Sequence, residues 1–151
     1  MRGRTAPQES VVSALVIGLP DADRSQLAEI FAGRGWQLSL TPTLGEARGL
    51  IDATPVSVVL CESDLPDGGW REILEDLLGR SEPPPLVVTS RLADELLWSE
   101  VLNRGGYDVL AKPLDNEEVT RVMGAAARHF DAECHRLRPQ RQMPLLLRSA
   151  S

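Results

Sequence analysis

The stretch VVLCESDLPDGGW, residues 58–70, decides the fold. Its first four residues, Val58 to Cys61, are apolar without interruption, as in a strand covered on both faces. The run, which begins at Val56, ends on a carboxylate, Glu62. Asp64, Pro66, Asp67 and the pair Gly68-Gly69 then read as a loop. Beyond it Trp70, Ile73, Leu74, Leu77 and Leu78 recur at i, i+3, i+4, i+7 and i+8, the spacing of an amphipathic helix. A buried strand, a loop and an amphipathic helix make one unit of an alternating α/β sheet.

The same unit recurs on either side. Residues 12–19 are an apolar strand bounded by Pro20. A helix follows with Leu27, Ile30 and Phe31 on one face, Asp21 or Asp23 as its cap and Gly33 or Gly35 as its stop. Residues 36–40 alternate as a strand and residues 44–53 read as a helix. Pro83, Pro84 and Pro85 close the helix that starts near Trp70. LVVTS, residues 86–90, is a strand; residues 93–104 form a helix stopped by Gly105-Gly106. DVLAK, residues 108–112, is the last strand, stopped by Pro113. A final helix from Asn116 to about Arg136 carries Val119, Val122, Met123, Ala126 and Phe130 on one face.

Five strands alternating with five helices predict an α/β fold, a doubly wound five-stranded parallel sheet of flavodoxin-like order 2-1-3-4-5. The predicted domain spans residues 12–137, between a flexible N-terminus (1–11) and a basic flexible tail (138–151). In that tail MPLLL, residues 143–147, is placed to dock on a partner or on the body.

Composition narrows the function classes. A chain of 151 residues with 42% apolar content suits one domain with an ordinary core. No run of 18 apolar residues is present, and the polar start MRGRTAPQES lacks the apolar stretch of a signal peptide, so a cytoplasmic protein without a membrane span is expected. The first 134 residues hold 12 basic against 22 acidic groups, a net −10, which disfavours nucleic-acid binding by the domain. The last 17 residues carry four arginines and no acid. Cys61 and Cys134 have neither metal nor disulfide spacing. Against 15 arginines the chain has a single lysine, Lys112, and that singularity asks for a reason.

In an open α/β sheet, sites form at the carboxyl ends of the strands. The residues there are Gly18 and Leu19 on the first strand, Glu62 on the third, Thr89 and Ser90 on the fourth and Lys112 on the fifth. A carboxylate, a hydroxyl and an ammonium thus share one rim.

That constellation resembles the receiver domain of two-component response regulators, of the chemotaxis-regulator type, over residues 12–132. LPDGG (65–69), following the strand-end acid, is similar to the family's loop after its phosphoacceptor Asp. AKP (111–113) is similar to the family's Lys-Pro, often joined there by a cis peptide, and NRGGYDVLAKPL resembles the segment leading into it. The resemblance implies a non-enzymatic module of phosphorelay signalling. Its partner would be a protein, a histidine kinase or a downstream effector, and it has the possibility of forming a homodimer. Output would come from a partner, a dimer or the tail, because too few residues remain after 137 for a further domain.

The departures from the family are equally specific. The phosphoacceptor position holds Glu62, not Asp. The Mg²⁺-binding acidic pair is replaced by Gly18 and Leu19; Asp21 and Asp23 lie farther on and need a local insertion to reach the rim. The position of the aromatic switch residue is Val109, with Tyr107 two residues earlier, and the switch hydroxyl is Ser90, or Thr89 if the strand is shifted by one. With no acidic pair, neither Mg²⁺ nor another cofactor is expected. The expected module is then a pseudo-receiver, phosphorylation-independent, in which Glu62 pairs with Lys112, next to Pro113, and with one of the two hydroxyls. The alternatives are a phosphoaccepting single-domain regulator, which would need Mg²⁺, and a flavodoxin-like binding protein outside signalling.

Other residues have plainer readings. Cys61 is a buried apolar group and His129 a solvated one. Asp64 and Asp67 serve turn chemistry. Trp70 and Trp98 are expected to bury against the sheet. If Trp98 is instead exposed, Leu97, Trp98 and Tyr107 mark the surface for a protein partner.

Overall fold

A computed structural model describes residues 11–65 and 68–150, with side chains at all of these except 68 and 137–150. Five strands, β1 (Ser13–Ile17), β2 (Gln37–Thr41), β3 (Val58–Glu62), β4 (Leu86–Ser90) and β5 (Asp108–Ala111), form one parallel sheet in the order β2-β1-β3-β4-β5. The helices are α1 (Asp21–Arg34), α2 (Leu44–Ala53), α3 (Trp70–Leu78), α4 (Glu95–Asn103) and α5 (Asn116–Ala150). A two-residue ladder, Asp64–Leu65 against Gly68–Gly69, sits in the loop between β3 and α3. This is the predicted flavodoxin-like topology.

The uninterrupted apolar strands follow from having helices on both faces. Along β3 the side chains alternate. Val58 and Leu60 join the layer under α1 and α5, with Leu27, Phe31, Val119 and Met123. Val59 and Cys61 join the layer under α2, α3 and α4, with Trp70, Ile73, Leu77 and Val101. A polar residue anywhere within 58–61 would enter one of two dry layers.

Several boundaries differ from the sequence expectation. Strand β1 stops at Ile17 because Gly18 turns to φ +77°. Neither Asp21 nor Asp23 caps α1; the cap position is Pro20, which offers no side-chain acceptor. By contrast Thr43 and Asp94 accept the N–H groups of Glu46 (3.3 Å) and Leu97 (3.0 Å), and so set the starts of α2 and α4. Trp70 is buried as expected, but Trp98 is not: it is 48% exposed. The backbone of α5 stays helical to Ala150, past the end expected near Arg136. Among the described residues no helix is long and apolar enough to cross a membrane.

Candidate functional site

Parallel β-α units put every strand's carboxyl end and the following helix's N-terminus at the same rim of the sheet. Glu62 is the last residue of β3, and register sets it beside Thr89 of β4. The Ser63 N–H donates to the Thr89 carbonyl (2.8 Å), which locks that register one residue beyond the strand. On the far side, the Lys112 N–H donates to the Ser90 carbonyl (3.1 Å) and continues the β4–β5 pairing past Ala111. The Lys112–Pro113 peptide is cis. Gln26 of α1 holds the loop that follows, donating to the Leu114 carbonyl (2.8 Å) and to Asn116 Oδ1 (2.7 Å). Helix α1 and the β5–α5 loop are thereby fastened together, and Asp23, three residues before Gln26, faces Lys112.

The polar centre consists of four side chains. Lys112 Nζ donates to Glu62 Oε1 and lies 3.0 Å from Asp23 Oδ2. Thr89 Oγ1 donates to the same Glu62 oxygen at 3.2 Å. The Lys112 side chain is only 7% exposed, against 16% for Glu62 and 18% for Asp23. Lysine is almost never so enclosed without partners, and two carboxylates supply them here.

Of the two candidate hydroxyls, Thr89 reaches Glu62, whereas Ser90 Oγ accepts the Leu92 N–H at 3.0 Å and closes a turn. Asp23 was expected to fall short of the rim without an insertion. It reaches Lys112 without one, because α1 begins directly after Pro20 and its first turn stands at the rim.

The positions matching the family's acidic pair carry apolar contacts instead. Leu19 is buried in the layer under α1 and α5. Gly18 is overlaid by Leu65: a Cβ built on Gly18 would lie 2.2 Å from Leu65 Cδ2. The sequence carried a trace of this, a Leu inside an otherwise polar loop, but nothing in it told where that Leu lands.

These residues do not fit a divalent cation. Mg²⁺ asks for several oxygen ligands in near-octahedral array. The two carboxylates are already spanned by an ammonium, the third position is a glycine, and an isobutyl group covers it. Among the described residues no group of three His, Cys, Asp or Glu side chains is placed to hold a metal ion.

Burial disfavours the charged form of Lys112, but its bonds to Glu62 and Asp23 outweigh burial and hold its pKa above the ordinary 10.5. A raised pKa stabilises the fold fully below 10.5, and the gain is lost as pH rises through the folded-state value. In a Cys61→Ala background, which removes the alkaline loss that the raised thiol would itself cause above about pH 9, denaturant titrations from pH 7 to 12 are thus expected to show stability falling above about pH 10.5, and adding Lys112→Met is expected to remove that loss. A variant that retains the full alkaline loss would assign it elsewhere. Cys61, buried beside the acid, has its thiol pushed up to about 12 by desolvation and then by the Glu62 charge, which leaves it an inert apolar group.

The residues expected at a partner surface do not lie together. Leu97 is half-buried and packs on the α2/α3/α4 layer. Trp98 stands out from α4 with Leu92 (80% exposed) and Leu96 (81% exposed) close in sequence. Tyr107 precedes β5 at the opposite end of the sheet, where its ring packs on His129 of α5 with centroids 5.5 Å apart. Val109 is buried. Asp64 is exposed on the short ladder, and Asp67 lies outside the described residues.

No family model matches the chain. Among curated proteins it is 29% identical over 87 residues to the transcriptional regulatory protein DpiA of Escherichia coli, covering 58% of this chain and 38% of that protein. The chain thus matches well under half the length of that relative. A two-component response regulator from Clostridium difficile superposes with a TM-score of 0.70 at 23% identity, over 78% of this chain and 96% of that one. A CheY-like receiver domain protein from Methanospirillum hungatei gives 0.72 at 18% identity, over 82% and 99%. The fold is that of a response-regulator receiver domain.

Proposed function

We propose that this chain is a degenerate receiver: a cytoplasmic signalling module with no enzymatic activity of its own, acting through protein contacts and independently of phosphorylation at Glu62. One observation carries the reading. Lys112, the cation a phosphoryl group would need, is shared between Asp23 and Glu62. Phosphoryl transfer onto a carboxylate brings anion to anion, and catalysis there depends on cations aimed at the transferring group. Here the ammonium is committed and the metal position is apolar. Glu also sets its carboxylate about 1.5 Å farther out than Asp would, a displacement of the kind that costs about a hundredfold in rate. Leu92, exposed in the turn before α4, and Leu96 and Trp98, exposed on α4, are the surface this reading assigns to a protein partner, a histidine kinase or an effector.

The test is intact-mass analysis after incubation with Mg²⁺ and acetyl phosphate. No phosphoryl adduct is expected on the natural chain, and none on Glu62→Asp, since shortening the acid restores neither the metal position nor a free ammonium. An adduct mapped to Glu62 would replace this reading with that of a phosphoaccepting regulator.

A further inference from the structure

Of the ten arginines whose side chains are described, six lie against acids: Arg24, Arg48, Arg71, Arg80, Arg104 and Arg136. Among the described residues Arg34, Arg91, Arg121 and Arg128 have no acidic partner. Three of these four share one surface, away from the polar centre. Arg34 closes α1, and its guanidinium carbon lies 5.4 Å from the centre of the Trp36 ring. Trp36 stands just before β2, at the amino end of the sheet, and packs on the layer under α1 and α5, where Phe31 meets its ring edge-on at 5.3 Å. The same indole reaches α5 at Gly124: a Cβ built there would lie 3.8 Å from Trp36 Cη2 and 3.3 Å from Arg128 Nη1. Gly124 is thus the floor on which the indole and the Arg128 guanidinium meet. Arg121 precedes it by one turn, and the spacing 121, 124, 128 keeps all three on one face of α5.

This surface has the opposite character to its surroundings. The first 134 residues carry a net −10, yet three cations stand here together without an acid, a like-charge arrangement that costs self-repulsion. A guanidinium stacked on a ring keeps its N–H donors at its edge, where they suit the two oxygens of a carboxylate. The indole supplies an apolar contact between the charges. The complement of such a surface is a short segment bearing several carboxylates and an apolar side chain. A nucleic acid suits it less, because its continuous phosphate charge would run from this small island onto the acidic body. The surface belongs to the α1 and α5 layer, whereas Leu96 and Trp98 are exposed on α4, which covers the other face of the sheet. The two surfaces are therefore separate.

We propose that Arg34, Arg121 and Arg128, around Trp36, form a docking site for an acidic segment of a partner protein, separate from the surface on α4. The proposal does not rest on the state of Glu62. The chain's three tryptophans give three indole N–H signals under ¹⁵N-tryptophan labelling of the full chain, and an acetylated peptide of glutamates and leucines serves as the probe. A saturable shift of the Trp36 signal is expected, with Trp70 and Trp98 unmoved and with affinity falling as salt is added. Arg34→Ala/Arg128→Ala is expected to weaken binding about 10-fold, and Arg121→Ala about threefold. Arg91→Ala, which removes the unpaired arginine outside this surface, is expected to leave binding unchanged. All four arginines are exposed, so the variants keep the fold, and an unmoved signal from buried Trp70 verifies this in the same spectra. A Trp36 signal that does not respond overturns the proposal. So does a response centred on Trp98, or equal weakening by Arg91→Ala. An oligodeoxynucleotide of the same charge that binds as tightly as the peptide overturns it too, since the surface would then select charge and not a protein segment.

Discussion

Lys112→Met is expected to cost about 3 kcal/mol of folding stability, far more than loss of either carboxylate. The reason is the asymmetry of the centre. The ammonium is nearly enclosed and serves two acids, Glu62 and Asp23, each less than one-fifth exposed. Removing it leaves two like charges facing one another in a partly desolvated space. Removing an acid leaves the ammonium with one partner: Glu62→Gln and Asp23→Asn should each cost about 1 kcal/mol, the worth of a charge-assisted bond lost without stranding a charge. Chemical denaturation of the three variants checks the order. Equal costs would mean that the pairs act separately and that Lys112 does not bridge them.

Gly18→Asp is the second large effect, with an expected loss of about 3 kcal/mol from two separable sources. Gly18 sits at φ +77°, where a side chain is strained, and any Cβ there meets Leu65 Cδ2 at 2.2 Å. Leu65→Ala removes the clash but not the strain. In the Gly18→Asp/Leu65→Ala pair about half the loss should therefore return, so that the two substitutions are strongly non-additive. Additive costs would mean that Leu65 does not rest on Gly18 in solution. The same pair shows what stands between this site and an acidic one: the backbone conformation and an apolar cover both have to change.

Much of the fold was legible because burial leaves a periodic trace. The runs at 58–61 and 86–90 and the 3.6-residue period from Trp70 to Leu77 each reflect a face covered by neighbours, and the sheet order followed from connection rules. The rim was legible to the extent that strand ends were: Glu62, Thr89 and Lys112 were found from their places after apolar runs. Asp23 was misjudged because its distance was counted along the chain, whereas α1 begins at the rim and brings its first turn back to the site. Leu65 was invisible because the path of a loop is not periodic. Trp98 was misplaced because α4 has a weak apolar face with only Val101 fully buried, so period alone did not say which side turns inward. Tyr107 was grouped with Leu97 and Trp98 as one partner surface, yet Trp98 lies on a helix face and Tyr107 before a strand at the far end of the sheet.

Because Lys112 is the chain's only lysine, ¹⁵N-lysine labelling yields a single side-chain ammonium signal that reports on the centre directly. With Lys112 held as the resident cation between Asp23 and Glu62, that signal should be protected from rapid exchange, unchanged by millimolar Mg²⁺ with beryllofluoride, and lost to exchange in the Asp23→Asn/Glu62→Gln pair. An ammonium signal that shifts saturably with Mg²⁺ and beryllofluoride would contradict it, since the lysine would then be free to serve a bound metal and a phosphoryl group.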